Sequence, residues 1–229
     1  MTDSSPLDHA IWFALTTAQQ SMAHAHGLAR RFPSDVSPLA ALAEPTAQAF
    51  ADLSGLVRPL ENVALFTTAP VDFLDDWQPT RTRWIDQMIC TRPIDAAGHP
   101  APPLLRLAQS DVPEMLALAT ATAPGPFLNR TIDMGRYFGV RSEDHRLAAM
   151  AGERLRISEF TEISAVCTDP DFRGRGYSRA LIALLVGKIL AEGKTPFLHV
   201  KSENGAKLMY EKLGFTFRRA IRLTVIARR

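Results

Sequence analysis

Asp169-Pro170-Asp171-Phe172-Arg173-Gly174-Arg175-Gly176-Tyr177-Ser178-Arg179-Ala180 is a glycine–arginine turn set between two regular runs. A β-prone run, Thr161 to Thr168, leads into it, and a run of helical periodicity, Tyr177 to Ala191, leads out. Gly174 and Gly176 let the backbone bend and let a ligand come close to its amides. The helix N-terminus beyond them offers unpaired N–H groups and the positive end of a dipole, a seat for phosphate or pyrophosphate. Arg173 and Arg175 add charge-assisted donors. No Gly-Lys-Ser/Thr follows, so this is not a P-loop, and the G-x-G-x-x-G spacing of a dinucleotide site is absent.

The surroundings sharpen this. Arg173-x-x-Gly176-x-Ser178 resembles the Arg/Gln-x-x-Gly-x-Gly/Ala signature of the GNAT superfamily of acyl-CoA-dependent N-acyltransferases, with Ser178 where Gly or Ala is usual. Ala165 to Pro170 resembles the family's strand before the loop. Asn204-Gly205-Ala206 and Leu208 to Phe215 resemble its second motif. The resemblance is strong from Glu159 to Phe215 and weaker over 104–158. It implies an α+β GNAT fold: a mixed, mostly antiparallel central sheet flanked by helices, in the order β-α-β-β-β-α-β-α-β over residues 101–229.

A chain of 229 residues holds one large domain or two small ones. Its net charge of +2, with no dense Lys/Arg run, gives no case for nucleic acid. Cys90 and Cys167 make no disulfide framework and suit a reducing cytoplasm. No stretch reads as a signal peptide or a membrane span, and no ligand cluster points to a metal.

In the N-terminal region, Ile11, Ala14, Leu15, Ala18 and Met22 recur at helical spacing and predict a helix from Asp8 to Arg30. His24 and His26 within it point apart and do not share a metal. Ser37-Pro38 opens a short helical piece, and Thr46 caps a helix running to Leu56. Val63 to Thr67 and Trp84 to Thr91 read as strands, the second with Asp86 and Gln87 on an exposed face. Residues 92–103 carry Pro93, Gly98, Pro100, Pro102 and Pro103, a linker composition. The boundary is therefore set at residue 100: residues 1–100 form an α/β region without the cofactor motif, and 101–229 the acyltransferase domain. The layout resembles glycine N-acyltransferase-like proteins, which implies a truncated, degenerate GNAT half. Its other role is to shield one face of the catalytic domain or complete the acceptor cleft.

Beyond the linker, Asp111 and Glu114 have capping-box spacing at a helix start. Phe127, Asn129 and Arg130 follow that helix as pocket-lining or surface-loop residues. Gly135 to Arg141 and Leu147 to Gly152 read as a hairpin.

Acyl transfer from a thioester to an amine requires that the donor be held, that the amine lose a proton and that the thiolate gain one. The resemblance implies that acetyl-CoA is the donor, other acyl-CoA being possible. Its pyrophosphate would sit on the amides of Arg173, Gly174, Arg175, Gly176, Tyr177 and Ser178. The pantetheine would lie beside Val166, Cys167 and Thr168, with a strand N–H polarising the thioester carbonyl. Asn204 would bond the pantetheine, cap its helix, or both. The resemblance implies that Tyr210 is the proton donor to sulfur; the alternative is a packing aromatic. Cys167 has no adjacent base and reads as a small buried residue rather than a nucleophile. For the base that takes the amine proton the resemblance implies two candidates, Glu162, eleven residues before Arg173, and His199, five before Asn204; the third option is a water chain with no dedicated residue. The acceptor expected is a primary amine of a small molecule or amino acid. A protein or peptide N-terminus is the alternative, and a non-catalytic acetyl-CoA sensor is the reading from another class. No metal, nucleic acid or membrane partner is expected, and the oligomeric state stays open.

Overall fold

Strands from both ends of the chain interleave in one sheet. The computed structural model describes residues 5–94, 103–203 and 205–229. The expected linker therefore lies, over 95–102, outside the described residues. In chain order the elements are α1 (Ala10–Thr16), β1 (His24–His26), β2 (Ala29–Arg31), β3 (Ala40–Leu42), α2 (Ala47–Ser54), β4 (Asn62–Thr67) and β5 (Trp77–Ile89). Then come β6 (Leu105–Arg106), α3 (Val112–Thr122), β7 (Tyr137–Arg141), β8 (Leu147–Arg156) and β9 (Phe160–Thr168). The last are α4 (Tyr177–Ala191), β10 (Thr195–Lys201), α5 (Ala206–Lys212) and β11 (Thr216–Arg228). From β6 onward the strand and helix order is the expected one. Eight strands form one sheet in the order β4-β11-β5-β10-β9-β8-β7-β6, and β1–β3 form a separate small one. Within the large sheet every pairing is antiparallel except β9 with β10.

Burial follows strand alternation. Leu198 and Val200 face α4, whose Leu181, Ile182, Leu185, Val186 and Ile189 are all buried. Phe197 packs on the opposite face with Ile11, Ala14 and Leu15 of α1. Beside α1 on that same face, Met115 and Leu118 of α3 pack on Tyr137 and Met150. The sheet is thus covered on both sides, which explains why Asp86 and Gln87 are buried rather than exposed. Each has partners: Asp86 takes Ser202 and Lys207, and Gln87 takes Leu7, His199 and Arg218.

The N-terminal elements depart from their periodicity. The helix expected to reach Arg30 ends at Thr16. Gln19, which is buried, donates from Nε2 to the carbonyls of Met134 and Arg154 and draws the chain onto β8. A β1–β2 hairpin follows, turning at Gly27 (φ +46°), where any Cβ would lie 2.1 Å from the Asp52 carboxylate. His24 and His26 are therefore exposed strand residues. Ser37-Pro38 opens no helix; Pro38 accepts from Ala64 N, and Leu39 bridges to β4. Thr46 does cap α2, through Ala49 N. The strand expected from Trp84 begins at Trp77. Asp111 does not cap α3 with its side chain; its carboxylate accepts from Ala108 N and pairs with Arg141.

Candidate active site

The parallel pair β9–β10 is matched only from Phe160↔Thr195 to Glu162↔Phe197. Beyond that point the strands part and a cavity of about 820 Å³ opens, lined on one side by Ile163 to Thr168 and on the other by His199 to Lys201. The β9 edge facing it has backbone N–H and C=O groups that an extended, amide-bearing ligand can pair with. A bulge shapes this edge. Ala165 sits at φ +53°, and the pairing with β8 slips between Met150/Cys167 and Gly152/Ser164. The slip breaks the expected common face of Glu162, Ser164, Val166 and Thr168. Ile163 and Val166, three residues apart, both pack toward α4, whereas Cys167 packs toward α3.

At the end of β9, Asp169 accepts from Asp171 N and starts the turn. Gly174 and Gly176 both adopt φ +77°, a left-handed conformation that side chains resist, and Gly176 is the first cap of α4. No side chain caps α4, so its leading N–H groups point into the cavity mouth. Arg173 and Arg175 line the cavity, and the Arg175 guanidinium stacks 5.0 Å from the Phe172 ring centroid. Thr168 Oγ1 and Ser178 Oγ lie 2.8 Å apart and tie the strand to the helix. These groups, with Tyr177 beside them, suit a phosphate-bearing ligand continuous with the open strand edge. Asn204 lies outside the described residues.

Tyr210, on α5, is buried and lines the same cavity, its ring edge-on to Phe215 at 5.8 Å. Burial, with Cys167 nearby, pushes its phenol up to about 12, so it carries a proton at neutral pH. Burial also pushes the Cys167 thiol up to about 11, against hydrogen bonds with the Thr122 side chain and the Met150 backbone. A protonated thiol packed under α3 is no nucleophile.

Glu162 is fully buried and does not line the cavity. Arg154 grips it with Nε at 2.9 Å and Nη2 at 2.6 Å, and His199 Nδ1 lies 2.7 Å from Oε1. Burial opposes its charge, but Arg154 and His199 together hold the carboxyl down to about 2. His199 does line the cavity, yet both ring nitrogens are committed. Gln87 Oε1 accepts from Arg218, so its Nε2 donates, both to Leu7 O and to His199 Nε2 at 3.1 Å. The imidazole therefore donates from Nδ1 to Glu162 and accepts at Nε2. Arg218 in turn pairs with Asp8. Asp8–Arg218–Gln87–His199–Glu162–Arg154 is one continuous polar chain crossing the sheet.

Of the expected pocket residues after α3, none lines the cavity. Phe127 is buried against Tyr137, and Arg130 pairs with Asp35 and Asp133; Thr122 to Pro126 line it instead. Strands from both ends of the chain supply a further wall. Ala64 and Phe66 of β4, Arg81, Arg83 and Ile85 of β5, and Leu223 and Val225 of β11 all face the cavity. Arg81 and Arg83 went unread because the strand was started at Trp84. The alternation Thr80-Arg81-Thr82-Arg83 was the available signal. Among the described residues no group of three or more His, Cys, Asp or Glu side chains could hold a metal ion. No helix among them is long and apolar enough to cross a membrane.

Comparison with known proteins bears on this site. Residues 137–223, which include β9, the turn, α4 and α5, match the family model "FR47-like protein". The ribosomal protein bS18-alanine N-acetyltransferase of Salmonella typhimurium is 35% identical over 83 residues, 35% of this chain; the match spans 55% of that protein's length. A crystal structure from Novosphingobium aromaticivorans, assigned to the GNAT family of acetyltransferases, superposes with TM-score 0.89 at 36% identity, covering 99% of this chain and 100% of that one. A GCN5-related N-acetyltransferase from Kribbella flavida shares the fold, with TM-score 0.63 at 15% identity over 94% of this chain and 95% of that one. With a relative of that identity matched end to end, the chain belongs to the GNAT family of acetyltransferases.

Proposed function

We propose that this protein transfers an acetyl group from acetyl-CoA to the primary amine of a small molecule by direct attack. The observation that carries this reading is the parting of β9 and β10 in front of the arginine–glycine turn, with a protonated phenol inside the gap. The α4 N-terminus, with Arg173, Gly174, Arg175, Gly176, Tyr177 and Ser178, holds the pyrophosphate. Val166, Cys167 and Thr168 present backbone groups to the pantetheine, and an N–H of this strand polarises the thioester carbonyl. Tyr210 gives its proton to the departing sulfur. Glu162 is a positioning residue: it orients His199 and neutralises Arg154 rather than meeting the amine. The amine proton leaves through water in the open cavity, since both nitrogens of His199 are engaged.

The test is thiol release from acetyl-CoA across a panel of amines, with Tyr210→Phe alongside. Amine-dependent release that falls about 10²–10⁴-fold in the variant supports the reading. Loss below tenfold reduces Tyr210 to a packing residue, and acetyl-CoA binding without release from any amine favours a sensor. The likeness to the bS18-alanine enzyme supports a second reading, a protein N-terminus as acceptor. Peptides in the same panel separate the two.

A further inference from the structure

We infer that the acceptor carries an acid group several bonds from its amine and that Arg81 and Arg83 bind it; this rests on the acyltransferase reading above. The charge of the cavity is one-sided. Among the described residues every ionisable side chain lining it, apart from the tyrosines, Cys167 and His199, is an arginine or a lysine, and no carboxylate is present. Arg173 and Arg175 sit at the pyrophosphate seat, and Arg154 is neutralised by Glu162. Arg81 and Arg83 have no such explanation. They form no ion pair or side-chain hydrogen bond among the described residues.

The register of the sheet says where they are. Gln87, opposite His199, is followed along the same face of β5 by Ile85, Arg83 and Arg81. Ile85 faces Ile221, Arg83 faces Leu223 and then Phe66 of β4, and Arg81 faces Val225 and then Ala64. The apolar Ile85–Ile221 pair thus stands between the reacting end and Arg83, and apolar residues flank both guanidinium groups at their own level. Arg83 lies four residues, roughly 13 Å along the strand, from the residue that meets His199. An acceptor that spans this distance has its amine near Tyr210 and His199, a methylene or side-chain spacer over Ile85, and an acid at the guanidinium forks. A second cationic group in the acceptor would meet like charge throughout. The same field disfavours the ammonium form of the amine and favours the free base that attacks.

The experiment compares 6-aminohexanoate, hexylamine and 1,6-diaminohexane, with glycine as the short acid and the peptides Ala-Ala-Glu and Ala-Ala-Lys as the protein-derived source. Thiol release and the thermal shift of the CoA-bound protein are both measured. 6-Aminohexanoate should exceed hexylamine and the diamine by roughly 10- to 100-fold in kcat/KM, mostly through KM, and glycine should be poor. The advantage should shrink at high salt and collapse in Arg81→Ala/Arg83→Ala. A greater preference for Ala-Ala-Glu than for 6-aminohexanoate would identify a peptide as the source of the same chemistry. Release without acid preference, or a preference that survives the double variant, overturns the proposal and leaves the acyltransferase standing. An acid-selective thermal shift without release from any amine keeps the anion site and overturns the acyltransferase. Neither shift nor release overturns both.

Discussion

The two walls of the cavity are built in opposite ways. The wall proposed to hold the donor is contiguous: Ile163 to Ser178 supplies the strand edge, the turn and the helix start. The wall proposed to face the acceptor is assembled from β4, β5, β10 and β11, strands far apart in sequence that meet only in the sheet. A contiguous wall advertises itself through spacing; an assembled one shows only when the pairing is known.

The sharpest way to break this comparison is to remove one wall. Deleting residues 1–94 takes out β4 and β5, so β11 loses both of its sheet partners and β10 becomes an open edge. An insoluble or unfolded remainder is expected, read by solubility and far-UV circular dichroism. A soluble, active one would show that the acceptor wall is an accessory. Next in size, Tyr210→Phe should lower turnover about 10²–10⁴-fold while acetyl-CoA still binds, in a titration run beside the rate assay.

Glu162→Gln should be mainly a stability change, since it leaves the Arg154 guanidinium buried without its counter-charge, a loss of about 3–5 kcal/mol. The pH dependence has a definite sign. The carboxyl is held down to about 2 from its ordinary 4.5, so its contribution is complete above pH 4.5 and is lost as the pH falls toward 2. Urea midpoints measured across that range should fall more steeply in the wild-type protein than in the variant.

Gly176→Ala probes the donor wall alone. A side chain at φ +77° costs about 1–2 kcal/mol, which corresponds to roughly a 5–30-fold weaker hold on acetyl-CoA if the turn gives way to relieve it. Calorimetry would measure this. Smallest of all, Cys167→Ala should change the rate by less than tenfold, because a group that takes part in the chemistry would cost 10² or more. A larger loss would mean that the thiol acts on the substrate.

Legibility followed the same division. Arg173-x-x-Gly176, the strand before it and the fifteen residues of α4 were all readable, because each depends on residues a few positions apart. What failed depended on distant partners. Nothing local to Gln19 says that two carbonyls more than a hundred residues away will end its helix. Asp86 and Gln87 look solvent-facing until Lys207 and Arg218 arrive. The Ala165 bulge inverted the expected facing of β9 beyond Ser164, and no glycine marks it. Glu162 and His199 were identified as a pair of candidates for one task; their hydrogen bond to each other, and the chain that runs on to Asp8, required the fold.

The place of β11, between β4 and β5, has a consequence for how the molecule is made. During synthesis residues 62–89 leave the ribosome well before residues 195–228. Until then β4 and β5 have none of their large-sheet neighbours, because within that sheet β4 pairs with β11, and β5 with β10 and β11. For most of translation these strands must wait as open edges, exposed to wrong partners. β11 then closes both at once, so this side of the sheet is the last of the sheet to become ordered and is exposed to aggregation if synthesis stalls before it.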